Sequence, residues 1–393
     1  MQIGIIELTC LNHEVVDTCK MANPSKNEVT LFITEELKDA IVKELNEYAT
    51  LINIVIKKKN DSFYSFITKI NKTCYQNNID FLLVNTISRW ELLFLKKRAI
   101  TVCYLYSLNF WFKDLKNKQS SFKLFNRLNL LSFFPIRWIA NPIFGRVIRK
   151  NILHKMDGIL VEYPLFIETI KNKFNYKKDV YFLPKRHYEG PIEFNTEKIV
   201  FTITGTIAKI RRDYDVVLNA ISNIHEEYRG KFKLILLGKP IGKYGNQIID
   251  RCRKLISKGY EIDYSETYIS SDVMLEKLKT TSLMISPMNI NYESGIIKER
   301  FTYTKGTGTF NDALRFGLPT IVPSDYQIDK EFADCFLRYN SAGELYEIIL
   351  QLITNKGELK KIRDATDALM KQYTLIECQN KFKNIQSSFV QKI

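Results

Sequence analysis

Short apolar runs alternate with longer stretches of helical spacing along the first half of the chain. The runs are Gln2–Leu8, Glu28–Ile33, Ile52–Ile56, Asp80–Val84, Ile100–Tyr106, Gly158–Glu162 and Val180–Pro184. Each is rich in Ile, Val, Leu, Phe and Tyr, as strands buried on both faces require, and helix-length spacers separate them. A turn-rich break, His187-Tyr188-Glu189-Gly190-Pro191, interrupts the series. The alternation restarts with Ile199–Thr204, Phe232–Leu237, Gly259–Tyr264, Ser282–Pro287 and Pro319–Pro323. The pattern predicts an α/β chain of two doubly wound, Rossmann-like domains facing a cleft, the first over 1–190 and the second over 191–372. The stretch 373–393 is helical by spacing.

Composition narrows the class. Of 393 residues, 45% are hydrophobic and 26% charged, which excludes wholesale disorder and collagen-like repetition. The seven cysteines (Cys10, Cys19, Cys74, Cys103, Cys252, Cys335, Cys378) are scattered and never spaced C-x-x-C, so neither a disulfide framework nor a zinc cage is expected. A reducing, cytoplasmic compartment follows. The opening Met1-Gln2-Ile3-Gly4-Ile5-Ile6-Glu7-Leu8 reads as a buried strand rather than a signal peptide, and no run approaches the roughly 18 apolar residues of a membrane span.

The net charge of +15 implies an anionic partner, and over half of that excess lies in one segment. Between residues 107 and 150 stand nine basic residues against one acid, together with nine aromatics, Trp111 and Trp138 among them. Rings that enter a headgroup boundary and cations that meet anionic lipid make this a candidate for peripheral docking on the inner face of the plasma membrane. The competing reading makes the aromatics core and the charges a solvated face. No nucleic-acid signature accompanies the charge, so that partner is not expected.

Two motifs carry candidate chemistry. The first is Tyr303-Thr304-Lys305-Gly306-Thr307-Gly308-Thr309-Phe310-Asn311-Asp312-Ala313-Leu314-Arg315-Phe316-Gly317-Leu318-Pro319. Gly306 and Gly308 permit close backbone approach, Thr307 or Thr309 caps a helix, and its N–H groups with Lys305 suit a diphosphate. The second follows the strand ending at Thr204: Gly205-Thr206-Ile207-Ala208-Lys209-Ile210-Arg211-Arg212. Lys209, Arg211 and Arg212 beside a glycine turn are suited to neutralising the same group. Asp213-Tyr214-Asp215 reads as a helix start with ion pairing, not a metal-binding carboxylate pair, and Gly238–Tyr244 as a turn after a strand rather than a P-loop.

With Gly205 through Arg211, Ile285-Ser286-Pro287 and Asp312 through Pro319, the chain resembles the GT-B glycosyltransferases, particularly the large family 4 that uses nucleotide-sugar donors. The resemblance covers the second domain well and the first only in its alternation. It implies that the second domain holds the donor, that the first holds the acceptor, and that a final helix, 373–393, crosses back to the first domain. It also places Asp312 on the nucleotide ribose. The family's other glutamate, near the transferred sugar, falls on Thr304 by strict spacing; Glu293 or Glu299, in an insertion after Pro287, would have to replace it, with Glu293 preferred. The resemblance also makes His13, just after the first strand, the candidate general base, as in inverting enzymes of this fold; retaining members need no such base, and the stereochemistry stays open.

The resulting expectation is a metal-independent glycosyltransferase without a resident cofactor, moving a sugar from a nucleotide diphosphate sugar to a glycan or lipid-linked acceptor in bacterial surface polysaccharide or glycolipid assembly. The alternatives are a nucleotide-sugar epimerase of the same fold and a non-catalytic glycan- or membrane-binding protein.

Overall fold

The computed structural model describes residues 1–9, 12–87, 89–113, 144–192, 197–294 and 297–391. Seven strands build the first sheet: β1 (Gln2–Glu7), β2 (Glu28–Thr34), β3 (Ile52–Lys57), β4 (Phe81–Val84), β5 (Ile100–Leu105), β6 (Gly158–Val161) and β7 (Asp179–Phe182). Their order is β3-β2-β1-β4-β5-β6-β7, every pair parallel. In β4, β5 and β6 every side chain is buried, which is why these strands read as continuous apolar runs.

The second sheet uses β8 (Ile199–Thr204), β9 (Phe232–Leu237), β10 (Ile262–Tyr264) and β11 (Leu283–Ile285). After a hairpin of β12 (Asn291–Ser294) and β13 (Ile297–Arg300) come β14 (Thr320–Pro323) and β15 (Phe336–Tyr339). The order is β10-β9-β8-β11-β14-β15, again all parallel. In both sheets the order reverses beside the first strand, between β1 and β4 and between β8 and β11. Helices start where a hydroxyl receives a first-turn N–H: Ser62 from Ser65, Ser270 from Val273, Ser341 from Glu344 and Thr374 from Glu377.

The two sheets share more than a linker. One apolar core runs from the first sheet across the cleft to Met288, Ile290, Phe301, Phe310, Tyr326 and Phe332 of the second half. The connecting chain is pinned on both sides: Tyr188 N–H donates to the Tyr373 carbonyl at 2.7 Å, Glu189 pairs with Arg315 at 2.6 Å, and Arg363 donates to the carbonyls of Ser282 and Ile192. The helix Leu375–Val390 then crosses to the first domain. Gln379 bonds Lys20 and Asn23, and Phe389 lies against Phe81 and Tyr181 over a bare Gly158, whose missing Cβ is the space the ring occupies.

Most of the basic aromatic segment, 114–143, lies outside the described residues. At its near end Trp111 is buried, Phe112 stacks on Phe174 at 4.8 Å, and the buried Arg149 stands over the Phe110 ring at 5.2 Å. These particular rings belong to the protein interior. Among the described residues no helix is long and apolar enough to cross a membrane.

Replacing Phe389 by Ala removes a ring packed against β4, β6 and β7 and should cost about 3 kcal/mol of stability, read as a lowered midpoint in urea unfolding.

Candidate functional site

The second domain's strand reversal generates the first wall of the site. β8 ends at Thr204, and Gly205 follows at φ +94°, a left-handed conformation that glycine adopts without strain. A Cβ on Gly205 would meet the Arg212 guanidinium at 2.6 Å, so the absent side chain is what lets Arg212 fold back over the strand end. The turn is zipped to the segment after β11: Asp213 N–H donates to the Pro287 carbonyl at 2.8 Å and Asn289 N–H to that of Arg211 at 2.9 Å. Arg212 is buried and its charge disfavoured by desolvation, with Asp312 among the groups that hold it positive.

The helix Gly308–Phe316 supplies the second wall. Thr307 caps it, its hydroxyl accepting the Phe310 N–H at 3.3 Å. The N–H groups of Gly308 and Thr309 have no acceptor among the described residues, so this helix mouth presents two free donors and the positive end of its dipole. Gly306 behaves otherwise than its place in the glycine loop predicts: its N–H donates to the Tyr106 carbonyl of the first domain at 3.1 Å. Lys305 donates to Ser107 at 2.9 Å and sits 5.3 Å from the centre of the Tyr292 ring, while Arg211 lies 5.7 Å from the same centre. The structure therefore brings Arg211, from the turn after β8, and Lys305, from the glycine loop, onto one aromatic ring. Burial disfavours the Lys305 charge.

Asp312, one turn into the helix, accepts a hydrogen bond from Thr204, and burial raises its pKa against the pull of Arg186, Arg315 and Arg212. Thr206 is half-buried in the turn. Lys209 is turned outward, paired with Asp213 at 2.8 Å and Asp215 at 3.2 Å. Asp213 also caps the next helix, the role its sequence position predicts. Four buried polar atoms at or beside these strand ends and this helix have no partner: Arg212 Nε, Ser286 Oγ, Thr309 Oγ1 and Asn311 Oδ1. Each such orphan costs about 1–3 kcal/mol, so their concentration in one place marks a surface that fits a polar ligand.

The carboxylates weighed as stand-ins at the sugar are engaged by other partners, although Glu299 lies within electrostatic reach of Lys305. Glu293 is exposed and pairs across the hairpin with Lys298 at 2.7 Å. Glu299 is buried, accepting the Phe110 N–H at 3.0 Å and so capping the helix Leu108–Phe112 of the first domain. The Thr304 hydroxyl accepts the Arg300 N–H at 2.9 Å and also bonds Glu299. His13 lies in the first turn of the helix Asn12–Met21, with its side chain outside the described residues.

Across the cleft stands an acidic wall that sequence reasoning passed over. Glu7 closes β1, Glu162 follows β6, and Glu14 lies in the first turn of the helix Asn12–Met21. Glu7 accepts from Asn85 at 2.6 Å and Thr86 at 2.8 Å. Lys185 is wholly buried, donating to Asn85 and lying 3.5 Å from the Tyr104 ring centre; burial pushes its pKa down to about 8 against the pull of Glu14, Glu7 and Glu162. Glu162 accepts from Asn311 of the second domain at 2.9 Å and occupies the space a Cβ on Gly306 would take. Burial, assisted by Glu14, pushes its pKa up to about 7. The available signal was an acid ending an otherwise apolar strand, since such ends line the crevice of an open α/β sheet.

No protein-family model matches the chain, and no curated protein does. Solved structures do. The pneumococcal O-GlcNAc transferase GtfA in complex with UDP and GlcNAc is similar at 8% identity and TM-score 0.59, over 99% of both chains. A putative UDP-N-acetylglucosamine 2-epimerase from Listeria monocytogenes follows at 14% identity and TM-score 0.55, over 100% of this chain and 97% of that one. Phytolacca americana UGT2, complexed with UDP-2fluoro-glucose and pterostilbene, matches at 12% identity and TM-score 0.51, over 98% of each. At such identities the likeness is one of fold, and the fold is GT-B: two Rossmann-like domains facing a cleft.

Two outcomes are expected from the Glu162 contact. Gly306→Ala should lower the melting temperature by several degrees, because a methyl group cannot share the space of the carboxylate. Glu162 binds its proton more tightly folded than unfolded, since its pKa rises from 4.5 to about 7. Its contribution to stability is therefore full below about pH 4.5 and lost as pH rises towards 7. Glu162→Gln lacks that loss, so the variant should gain on wild type in urea midpoint across this interval.

Proposed function

We propose that this protein transfers a glycosyl group from a nucleoside diphosphate sugar held by its second domain to an acceptor held by its first. The observation that carries the reading is the meeting, at the β8–β11 reversal, of a buried arginine turn with the free N–H groups of a helix mouth and Lys305. Arg211, Arg212, Lys305 and the Gly308 and Thr309 amides would hold the diphosphate and stabilise charge developing on it as it leaves. Asp312 would take the ribose hydroxyls. These groups offset the leaving charge themselves, so the reaction as proposed requires no metal. Two of the structural neighbours carry UDP or a UDP-sugar in their described complexes, which supports this ligand class.

Within this reading the enzyme resembles family 4, acts on a glycan or lipid-linked acceptor in bacterial surface polysaccharide or glycolipid assembly, and docks peripherally on the cytoplasmic face of the membrane through the basic aromatic segment 107–150. A second reading, epimerisation of a nucleotide sugar, is favoured by one observation: the carboxylates Glu7, Glu14 and Glu162 gathered on the first-domain wall. An epimerase converts donor alone into its epimer, whereas a transferase releases nucleotide only as the sugar is passed on.

A thermal-shift panel of UDP, GDP, CMP and their sugars tests the donor site. One nucleoside diphosphate should raise the melting temperature, and the Arg211→Ala, Lys305→Ala double variant should weaken its binding about a hundredfold or more, as loss of two charge-assisted contacts implies. A shift that the double variant leaves unchanged overturns the assignment.

A further inference from the structure

Resting on the membrane association read above and giving it a second, described surface, we propose that one outer face of the first domain docks on an anionic lipid bilayer. The face is built by the helix Phe63–Gln76, the stretch 90–98 and the helix Phe144–Lys155, which lie side by side. Asn71 of the first helix donates to the Phe94 carbonyl and accepts the Lys96 N–H, each at 2.9 Å, and Lys155 of the last donates to the carbonyls of Leu93 and Leu95. The connection from β3 to β4 runs across the sheet in the opposite direction to those from β1 to β2 and β2 to β3. Right-handed crossovers therefore put this layer on the sheet face away from the helix Glu35–Leu45.

The charge on the layer has one sign. Lys69 and Lys72 of the first helix, Lys96, Lys97 and Arg98 of the middle stretch, and Arg146 and Lys150 of the last helix are all exposed. The three segments hold no exposed carboxylate, since Glu91 is buried, and the neighbouring Asp157 pairs with Lys97 at 2.8 Å. The helix Glu35–Leu45 on the other face carries four acids against two bases, so the excess is one-sided. Rings accompany it: Tyr64 is 56% exposed, Tyr75 64% and Phe94 44%. Tyr64 and Tyr75 end an exposed stripe with Thr68 and Lys72 between them, about 16 Å apart along the helix. Phe94 meets Tyr64 edge-on at 5.0 Å, and Arg98 lies 4.4 Å from the centre of the Tyr75 ring. Rings at headgroup depth with Lys and Arg around them are the composition of an interfacial surface. At the cleft end of the face, Arg89 and Lys57 stand 3.5 Å and 4.6 Å from the centre of the Phe63 ring, so the cations continue to the carboxyl edge of the sheet.

Charge selects the occupant. The same face of a second copy would bring like charge, and so would segment 114–143, whose sequence carries five basic residues against Asp114 alone. The cations are spread over the outer sides of three adjacent segments, which suits a plane of anionic headgroups rather than the groove that tracks a nucleic-acid backbone.

The test is flotation with vesicles of phosphatidylcholine alone and of phosphatidylcholine with an equal part of phosphatidylglycerol. Wild type is compared with Lys72→Glu, Lys96→Glu, Arg98→Glu, a variant altered only outside 107–150. Wild type should float with the anionic vesicles and not the neutral ones, and high salt should release it. The charge variant should bind about a hundredfold or more weakly, with its melting temperature and nucleotide-induced shift unchanged. Should it fold poorly, Lys72→Gln, Arg98→Gln keeps the side-chain length and should still lose about tenfold or more. Binding by these variants within about threefold of wild type overturns this face while leaving docking through 107–150 standing. No flotation of wild type overturns both, and equal binding to the two vesicle types overturns the electrostatic docking argued here. Tighter binding to a single-stranded oligonucleotide than to vesicles, lost in the same variant, overturns the proposal by assigning the face to nucleic acid.

Discussion

A parallel sheet delivers the carboxyl end of every strand to the same edge, and this chain builds two such sheets and turns those edges towards one another. Everything chemical in the molecule follows from that constraint. The turn bearing Arg212 exists because β8 must end beside β11, and Glu7 and Asn85 meet because the neighbouring strands β1 and β4 stop at one level. Backbone groups freed at these ends have to be satisfied or offered to a ligand, and here both occur: Gly306 N–H is taken by Tyr106, whereas the Gly308 and Thr309 amides stay open.

The walls that result are of opposite character. The second domain offers cations and N–H donors, and the first offers carboxylates around the buried Lys185. In the proposed transfer the positive wall would stabilise the departing diphosphate, while the negative wall faces it across the cleft. Burial raises the Glu162 pKa and lowers that of Lys185, and each shift is moderated by the other group.

The main strands were legible in the sequence because parallel strands covered on both faces are unbroken apolar runs. β15 was not: Phe336-Leu337-Arg338-Tyr339 is short, carries a charge and lies at a sheet edge, where one side needs no covering. The insertion after Pro287 was visible, but its hairpin form was not, since Glu293 and Lys298 complement each other only across a turn. In the site, glycine and arginine could be placed by the conformations and charges they permit. Glu299 could not, because its partners are backbone N–H groups nearly two hundred residues away. Glu162 hid for a related reason: its neighbours Gly306, Asn311 and Lys185 come from distant parts of the chain, and burial, which sets its behaviour, is a property of the closed cleft.

The crossing helix Leu375–Val390 has a consequence for synthesis. Phe389 fills the groove over Gly158 and beside Phe81 and Tyr181, so the earliest half of the polypeptide lacks part of its covering while it emerges from the ribosome. Domains usually fold as they are made, from the amino end. Here the first sheet has to wait, with an apolar flank open, for residues translated more than two hundred codons later, and a holding chaperone or early packing by the second domain would bridge that interval.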